Sequence, residues 1–399
     1  MRIVLVQNMY HLPARGGANR SNRLMIERLA ARGHDCHVVA PLHGRVETGL
    51  PDDLPAYLRE RGATIVEYGE RVLTYEYGGV TVHGVAEGRY LPRTVLDVHD
   101  SVRPDWSLVA NDDPGMMMLS AVLRRAERVL YLVHTVQPLP FGPRSFHPSP
   151  ASTAMIRRAT GLMSVSGSTR DYVRRWSGLD SELIYPDVYR QTSARPADPA
   201  GRRCVTLVNA CGYKGVDIFL ALADSRPDTP FLAVEGWGTT DRDRAELARR
   251  PNVELLPGTD DMDEVYARTR VLLMPSLWDE AFGYCSVEAM LRGIPVLAAD
   301  LGGLPEATLG AGRLLPVAPI RRYPRGTNPV LPAGEIPPQD VRPWLAELSD
   351  LLIDHVAYEQ QSIVSRRAAR RFVDGLDPDA LENHLIRLTD RVATGGGVR

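Results

Sequence analysis

The sequence predicts an α/β protein built from two doubly wound halves, and three observations carry that expectation. The chain opens with a strand, loop, helix and second strand. Apolar runs of strand length then alternate with amphipathic stretches almost to the C-terminus, and a polar, proline-bearing stretch interrupts the pattern near the middle. Alternation of this kind marks a parallel sheet covered by helices on both faces. At 399 residues the chain exceeds one ordinary core, which argues for two domains.

In the first half, RIVLVQ is a strand, NMYHLPARGGAN a loop, SNRLMIERLAARG a helix and CHVVAP a second strand. Met25, Ile26, Leu29 and Ala30 share one helical face, and Gly33 is placed to stop the helix. Strand-like runs follow at VTVHGV, SLVAN, RVLYLVH, GLMSVS and ELIYP, interleaved with the helical stretches SAVLRRAE and STRDYVRRW. The segment YRQTSARPADPAGRR lacks an apolar period and reads as a linker. The expected boundaries are a first domain over 1–190, a linker over 191–203 and a second domain over 204–375, with a last helix in 376–399. The second domain shows strands at CVTLVN, FLAVEG, NVELLPG, RVLLMP and IPVLAA, and helices near VDIFLALADS, DRDRAELARR, DEVYART and SVEAMLR. A proline-rich excursion from Val317 to Pro343 is longer than most connections and reads as a lid or an ordered loop. Helices WLAELSDLLIDH, QSIVSRRAARRFV and PDALENHLIRLTDRV close the chain.

Composition excludes several classes. A 44% hydrophobic and 24% charged chain of net charge −2 is an ordinary globular protein with no bias towards nucleic acid. Cys36, Cys204, Cys211 and Cys285 are scattered, without the spacing of a zinc site or disulfide framework, which fits a reducing cytoplasm. The N-terminal apolar run is too short for a signal peptide, and no stretch reaches the roughly 18 apolar residues of a membrane span. The arginines Arg366, Arg367, Arg370 and Arg371 form a stripe that reads as a solvated face, so membrane contact is not expected. Lys214 is the one lysine in an arginine-rich chain, a mild pointer to a task that arginine performs less well.

Ligands of open parallel sheets sit at the carboxyl ends of strands. Those ends carry Gly16 and Gly17, Asp112 and Asp113, His134 and Ser166 in the first half; the second offers Asn209 to Gly215, Gly236 to Gly238, and the loop around Glu280. Gly16 and Gly17 leave bare backbone before a helix start, where an anion is favoured, or form a plain surface turn. Lys214 beside Gly215, just ahead of a helix, suits phosphate. In PSLWDEAFGYCSVEAMLRG, Ser286 is expected to cap a short helix with Glu288 in its first turn, while Glu280 lies in the preceding loop. Two carboxylates about such a loop suit sugar hydroxyls; the bland alternative is a helix-dipole partner and a solvated acid.

Together the GG loop, the strand-end histidine, Lys-Gly, Glu280-x7-Glu288, the following AMLRGIPVLA and GGLPE resemble the GT-B glycosyltransferases of family 4 over nearly the whole chain. The resemblance implies two Rossmann-like domains with the active site in the cleft between them. It also implies retaining transfer of a sugar from a nucleotide-diphosphate donor, without metal or other cofactor, to a small-molecule or lipid-linked acceptor. By position, Glu280 would hold donor-sugar hydroxyls, Glu288 the ribose, and Lys214 the leaving diphosphate. Phe282, Gly283 and Tyr284 would line sugar and phosphate through their amides, His134 would touch the sugar, and Gly16 and Gly17 would flank the diphosphate. The last helix, roughly Pro378 to Val392, would return to the first domain. Where the family commonly has arginine five residues before the lysine, this chain has Asn209, so the expected phosphate clamp lacks a charge. A nucleotide-sugar epimerase of the same fold and a non-catalytic sugar-nucleotide-binding protein remain alternatives.

Overall fold

The computed structural model describes residues 1–14, 16–42, 53–113, 115–189, 201–259, 261–324 and 332–393. These form two compact units, one of Met1–Asp187 with Asp377–Arg399 and one of Val188–Leu376. Most of the expected linker, 191–200, lies outside the described residues, as do 43–52 and 325–331. Arg202 and Arg203 are tied into the second unit: Arg202 donates to the Arg292 carbonyl and the Arg203 amide to that of Arg268.

The first unit runs β1 (Arg2–Val6), α1 (Gly17–Ala31), β2 (Asp35–Pro41), α2 (Leu54–Glu60), β3 (Thr64–Tyr68), β4 (Val72–Tyr77), β5 (Val80–Val85), α3 (Leu91–Val102), β6 (Trp106–Ala110), α4 (Met117–Val122), β7 (Val129–Val133), α5 (Pro150–Ile156), β8 (Gly161–Ser164), α6 (Gly167–Ser177) and β9 (Glu182–Leu183). Its sheet has the order β3-β4-β5-β2-β1-β6-β7-β8-β9. The expectation of a parallel sheet fails at one edge, where β4 runs antiparallel to both neighbours. Gly78 and Gly79, both at positive φ, close the two-residue β4–β5 hairpin, a turn that demands left-handed backbone. ELIYP contributes only the two-residue β9, and the helix expected at SAVLRRAE is α4, which starts earlier and stops at Val122. β1, β6 and β7 are almost wholly apolar and buried, the pattern of strands covered on both faces.

The second unit runs β10 (Cys204–Val208), α7 (Val216–Ser225), β11 (Phe231–Val234), α8 (Asp241–Ala248), β12 (Val253–Leu256), α9 (Met262–Arg268), β13 (Thr269–Met274), α10 (Tyr284–Leu291), β14 (Val296–Ala299), α11 (Leu304–Ala307), β15 (Arg313–Leu315), α12 (Arg342–Ile353) and α13 (His355–Asp374). Its sheet is parallel throughout, in the order β12-β11-β10-β13-β14-β15. The described part of the long excursion is packed down: Ile320 is buried with its amide on the Leu277 carbonyl, and Gln339 brackets Ala318 from both sides. The last helix, α14 (Ala380–Ala393), belongs to the first unit. Glu382 meets Arg32 and His34 of the α1–β2 turn, and Thr389 accepts from the Trp106 indole.

Each sheet reverses its winding once, between β1 and β6 in the first unit and between β10 and β13 in the second. Loops leaving adjacent strands in opposite directions open a crevice at those carboxyl ends. Both groups of strand-end residues singled out above fall at or beside these two points.

Candidate functional site

In the second unit the loops after β10 and β13 meet. Gly215 precedes α7 with φ +75°, and a Cβ there would run into the Pro275 carbonyl oxygen, so only glycine lets the two loops approach this closely. The approach sets Lys214, in the short turn before α7, against the segment that follows β13. Its Nζ is hydrogen-bonded to Oε1 of Glu280. The same carboxylate oxygen accepts from the Ser276 hydroxyl at 2.5 Å and the Trp278 indole N–H at 3.3 Å. Burial opposes the charge on Glu280, but the Lys214 ammonium and these donors outweigh it and hold its carboxyl below the usual range. The backbone of Glu280 is fixed as tightly. Its carbonyl accepts from the Gly303 amide at 2.8 Å, and a Cβ on Gly302 would lie 2.7 Å from the Glu280 nitrogen.

Glu288 differs from expectation. Helix α10 starts at Tyr284 with Gly283, at φ +111°, as its cap, so Ser286 lies inside the helix and Glu288 in its second turn. Glycine takes the capping role because its backbone is left-handed and a Cβ would stand 2.8 Å from Leu304. Glu288 is buried, and Tyr266 donates its hydroxyl to Oε2 at 2.7 Å. Burial, then the nearby Cys285 and Glu288, raise the Tyr266 hydroxyl well above its usual range, so it remains a donor. Phe282 is buried against Phe372 and Tyr284, and anchors the loop from beneath. The first amides of a helix have no acceptor within it, and those near Gly283 and Tyr284 open α10.

Asn209 ends β10 in the left-handed region, at φ +60°. Its Oδ1 accepts from the Gly238 amide at 3.0 Å, while its buried Nδ2 has no hydrogen-bond partner in the protein.

The first unit collects a different set. His134, at the end of β7, is almost wholly buried. Its Nε2 lies 2.6 Å from Asn22 Oδ1, its Nδ1 faces the Ser21 hydroxyl at 3.5 Å, and its amide donates to Asn111. Asn22 in turn donates to Gln7, and Gln7 to Asn19. Asn22 is itself a donor to Gln7, so its Oδ1 accepts, and the imidazole carries its proton on Nε2. Desolvation pushes this ring down to about 4, so it is neutral at pH 7. Ser21 and Asn22 lie one turn into α1, whose start is the exposed pair Gly16 and Gly17; the structure therefore brings the glycines and His134 to one end of the sheet. Asp113 accepts from three amides at the start of α4, and Ser166 caps α6. Asp112 takes the Asn8 amide on both oxygens at 3.0 Å, and burial, aided by Asp113, raises it to about 7 against those hydrogen bonds.

Sequence reasoning missed Ser276, Trp278 and Tyr266, the protein's own partners of the two glutamates. The indole two residues before Glu280 was the readable signal, because the chain is only 7% aromatic. Among the described residues no group of three or more His, Cys, Asp or Glu side chains is placed to hold a metal ion. No described helix is long and apolar enough to cross a membrane.

Two doubly wound units, with a lysine–carboxylate pair at the winding reversal of the second, define the class as a GT-B fold. Residues 15–186 match the model of "Glycosyltransferase Family 4" and residues 204–320 that of "Glycosyl transferases group 1". Both halves of the chain thus match glycosyltransferase models, and the chain is a glycosyltransferase of the GT-B fold. It is 28% identical to a lipopolysaccharide core biosynthesis mannosyltransferase of Rhizobium meliloti, over 40% of this chain and 50% of that protein. It is also 28% identical to a D-inositol 3-phosphate glycosyltransferase of Mycolicibacterium vanbaalenii, over 68% of this chain and 62% of that one. The chain thus spans about half to three fifths of these curated relatives. The structure of Anabaena HepE in complex with UDP-glucose shares the fold, with a TM-score of 0.66 and 15% identity over 98% of this chain and 99% of that one.

Proposed function

We propose that this protein transfers a sugar from a nucleotide-diphosphate donor to a small-molecule or lipid-linked acceptor, with retention and without a metal. The observation that carries the reading is the Lys214–Glu280 pair at the β10/β13 reversal, with α7 and α10 both opening beside it. As the bond from sugar to phosphate breaks, negative charge grows on a phosphate oxygen. An ammonium and oriented amides already in place stabilise that charge without reorganising. Lys214 supplies the ammonium, a task that many enzymes give to a divalent ion. Glu280, kept ionised by Lys214, Ser276 and Trp278, accepts hydroxyls of the sugar and orients its reacting carbon. Retention follows if the acceptor hydroxyl enters on the face the phosphate leaves, its proton passing to that phosphate. Glu288, held by Tyr266, accepts from the ribose. The mannosyltransferase and inositol glycosyltransferase names of the relatives, and the UDP-glucose held by a protein of the same fold, support this class of donor.

The test is a thermal-shift and calorimetric screen of the protein and Glu288→Ala against UDP, GDP, ADP and TDP and their common sugars, with EDTA present. Stabilisation by one donor series that Glu288→Ala loses supports the reading. Silence across the panel, or binding only after a divalent ion is restored, counts against it.

A further inference from the structure

Around Lys214 the second unit carries three aromatic rings in mutual contact. The centroids of Tyr213 and Trp278 are 5.3 Å apart, those of Trp237 and Trp278 5.3 Å, and those of Tyr213 and Trp237 6.1 Å. The ammonium stands 5.2 Å from the Trp278 ring and 5.9 Å from that of Trp237. All three rings are half-buried. The Trp278 indole also donates to Glu280, so the ring group and the carboxylate are one construction.

Asn209 is what places Trp237 there. Its Oδ1 holds the Gly238 amide, and a Cβ on Gly236 would collide with the Asn209 side chain, so the turn carrying Trp237 is folded onto this amide. Because Oδ1 is committed as the acceptor, Nδ2 is fixed as the donor end. A buried donor left without an acceptor is destabilising, so Nδ2 is costly where it stands unless a ligand completes it. Asn209 lies five residues before Lys214 on the same strand-end loop, where a diphosphate would be met. The one ammonium there is already shared with Glu280.

We propose that the donor is gripped at this point by a neutral amide and an indole wall about a single lysine, in place of a pair of cations. Asn209 Nδ2 donates to a phosphate oxygen, and Trp237 with Trp278 forms the face against which the C–H side of the donor's sugar ring lies. This rests on the donor reading above. The position of the wall beside Glu280 assigns it to the sugar: an aromatic face next to a hydroxyl-accepting carboxylate matches a pyranose, which is apolar on its ring faces and polar at its rim. Asn209 therefore has two roles: Nδ2 binds, and Oδ1 positions Trp237.

Calorimetry with the nucleoside diphosphate and the nucleotide sugar that the parent binds separates the parts. Trp237→Ala should weaken the nucleotide sugar about tenfold and the bare diphosphate by less than about threefold, with Trp237→Phe keeping most of the affinity. Quenching of tryptophan fluorescence by the nucleotide sugar should fall in Trp237→Phe. Asn209→Asp keeps an acceptor for the Gly238 amide but replaces the donor with a charged oxygen, and should weaken both ligands at least tenfold while the melting temperature holds. Equal losses for both ligands in Trp237→Ala, or no loss, overturn the sugar wall. Parent-like diphosphate binding by Asn209→Asp overturns the phosphate contact. If the parent itself binds no member of the panel, the donor reading falls first and this proposal with it.

Discussion

The two winding reversals of this chain are built from different materials. In the second unit the point between β10 and β13 is charged and partly open, with Lys214 and Glu280 both retaining some exposure. In the first unit a closed web of neutral groups, Gln7, Asn19, Asn22, Asn111 and the neutral ring of His134, all buried, lies at the point between β1 and β6, beside the carboxyls of Asp112 and Asp113 that the neighbouring amides hold. A charged pair can answer charge that develops during a reaction. A satisfied neutral web cannot, but it is rigid and holds α1 and its exposed glycines in fixed register with the sheet. The difference places the electrostatic work of the proposed reaction in the second unit, while the web holds the neutral His134 ring fixed at the end of its sheet.

On that division the largest effects come from the charged pair. Glu280→Ala and Lys214→Ala should each cut turnover by about two decades or more, on the scale of removing one transition-state donor, with the fold intact by circular dichroism. Parent-like turnover in either would erase the contrast.

Acidification should strike the other unit. Among the described residues every histidine except His355 lies in the first unit, and burial pushes His11 down to about 3 and His83 and His134 to about 4. A ring whose folded pKa lies below its unfolded value of about 6.5 stabilises fully above pH 6.5, and that contribution is lost as pH falls towards 4. For His134 the shift amounts to about 3 kcal/mol. Asp112 works the other way. It is raised to about 7 in the fold, so its contribution grows as pH falls from 7 towards 4, and Asp112→Asn should stabilise the protein above pH 7 and deepen the acid loss. Hydrogen exchange at pH 7 and pH 5, corrected for intrinsic rates, should show β1, β6 and β7 of Asp112→Asn losing more protection than β10 and β13. Equal loss in both units would remove the asymmetry.

Much of this was readable in the sequence, for particular reasons. The central strands of both sheets are short apolar runs because they are covered on two faces, and such runs stand out. Lys214, Glu280 and Glu288 were identifiable because carboxylates and a lone lysine are conspicuous beside apolar strands. The β3–β4 edge was missed because its strands are half exposed and lack a strong apolar signature, although Gly78-Gly79 is a turn signal. The helix start at Gly283 was missed because Ser286 is a better cap by composition. What decides the matter is the space left by Leu304, a contact 21 residues away that spacing does not reveal. The closed web around His134 is equally tertiary, since its partners come from α1 and from the ends of β1 and β6.

The backbone that holds Glu280 offers a finer test. Gly302 combines φ +62° with direct approach to the Glu280 nitrogen, so Gly302→Ala must shift one segment or the other. Under the proposed function, displacement of the Glu280 carboxylate by a fraction of an ångström should lower kcat about tenfold with little change in donor affinity, since Lys214 and Glu288 are untouched. An unchanged kcat would mean that Glu280 is positioned by its side-chain partners alone.

The smallest expected effect concerns one of those partners. The Trp278 indole N–H reaches Glu280 at 3.3 Å, longer than the bond from Ser276, and Lys214 shares the same oxygen. Trp278→Phe keeps an aromatic ring in the wall and deletes only this donor. A net hydrogen bond to a charged group contributes about 1.5–3 kcal/mol at best, and a long one whose acceptor keeps two better donors contributes less. A loss of about threefold in kcat/KM is therefore expected, accompanied by a slight upward movement of the acid limb of the pH–rate profile, because one of the groups holding Glu280 ionised is gone. A loss equal to that of Glu280→Ala would show that the indole, rather than the ammonium, fixes the carboxylate, and the contrast between the charged pair of the second unit and the neutral web of the first would have to be redrawn.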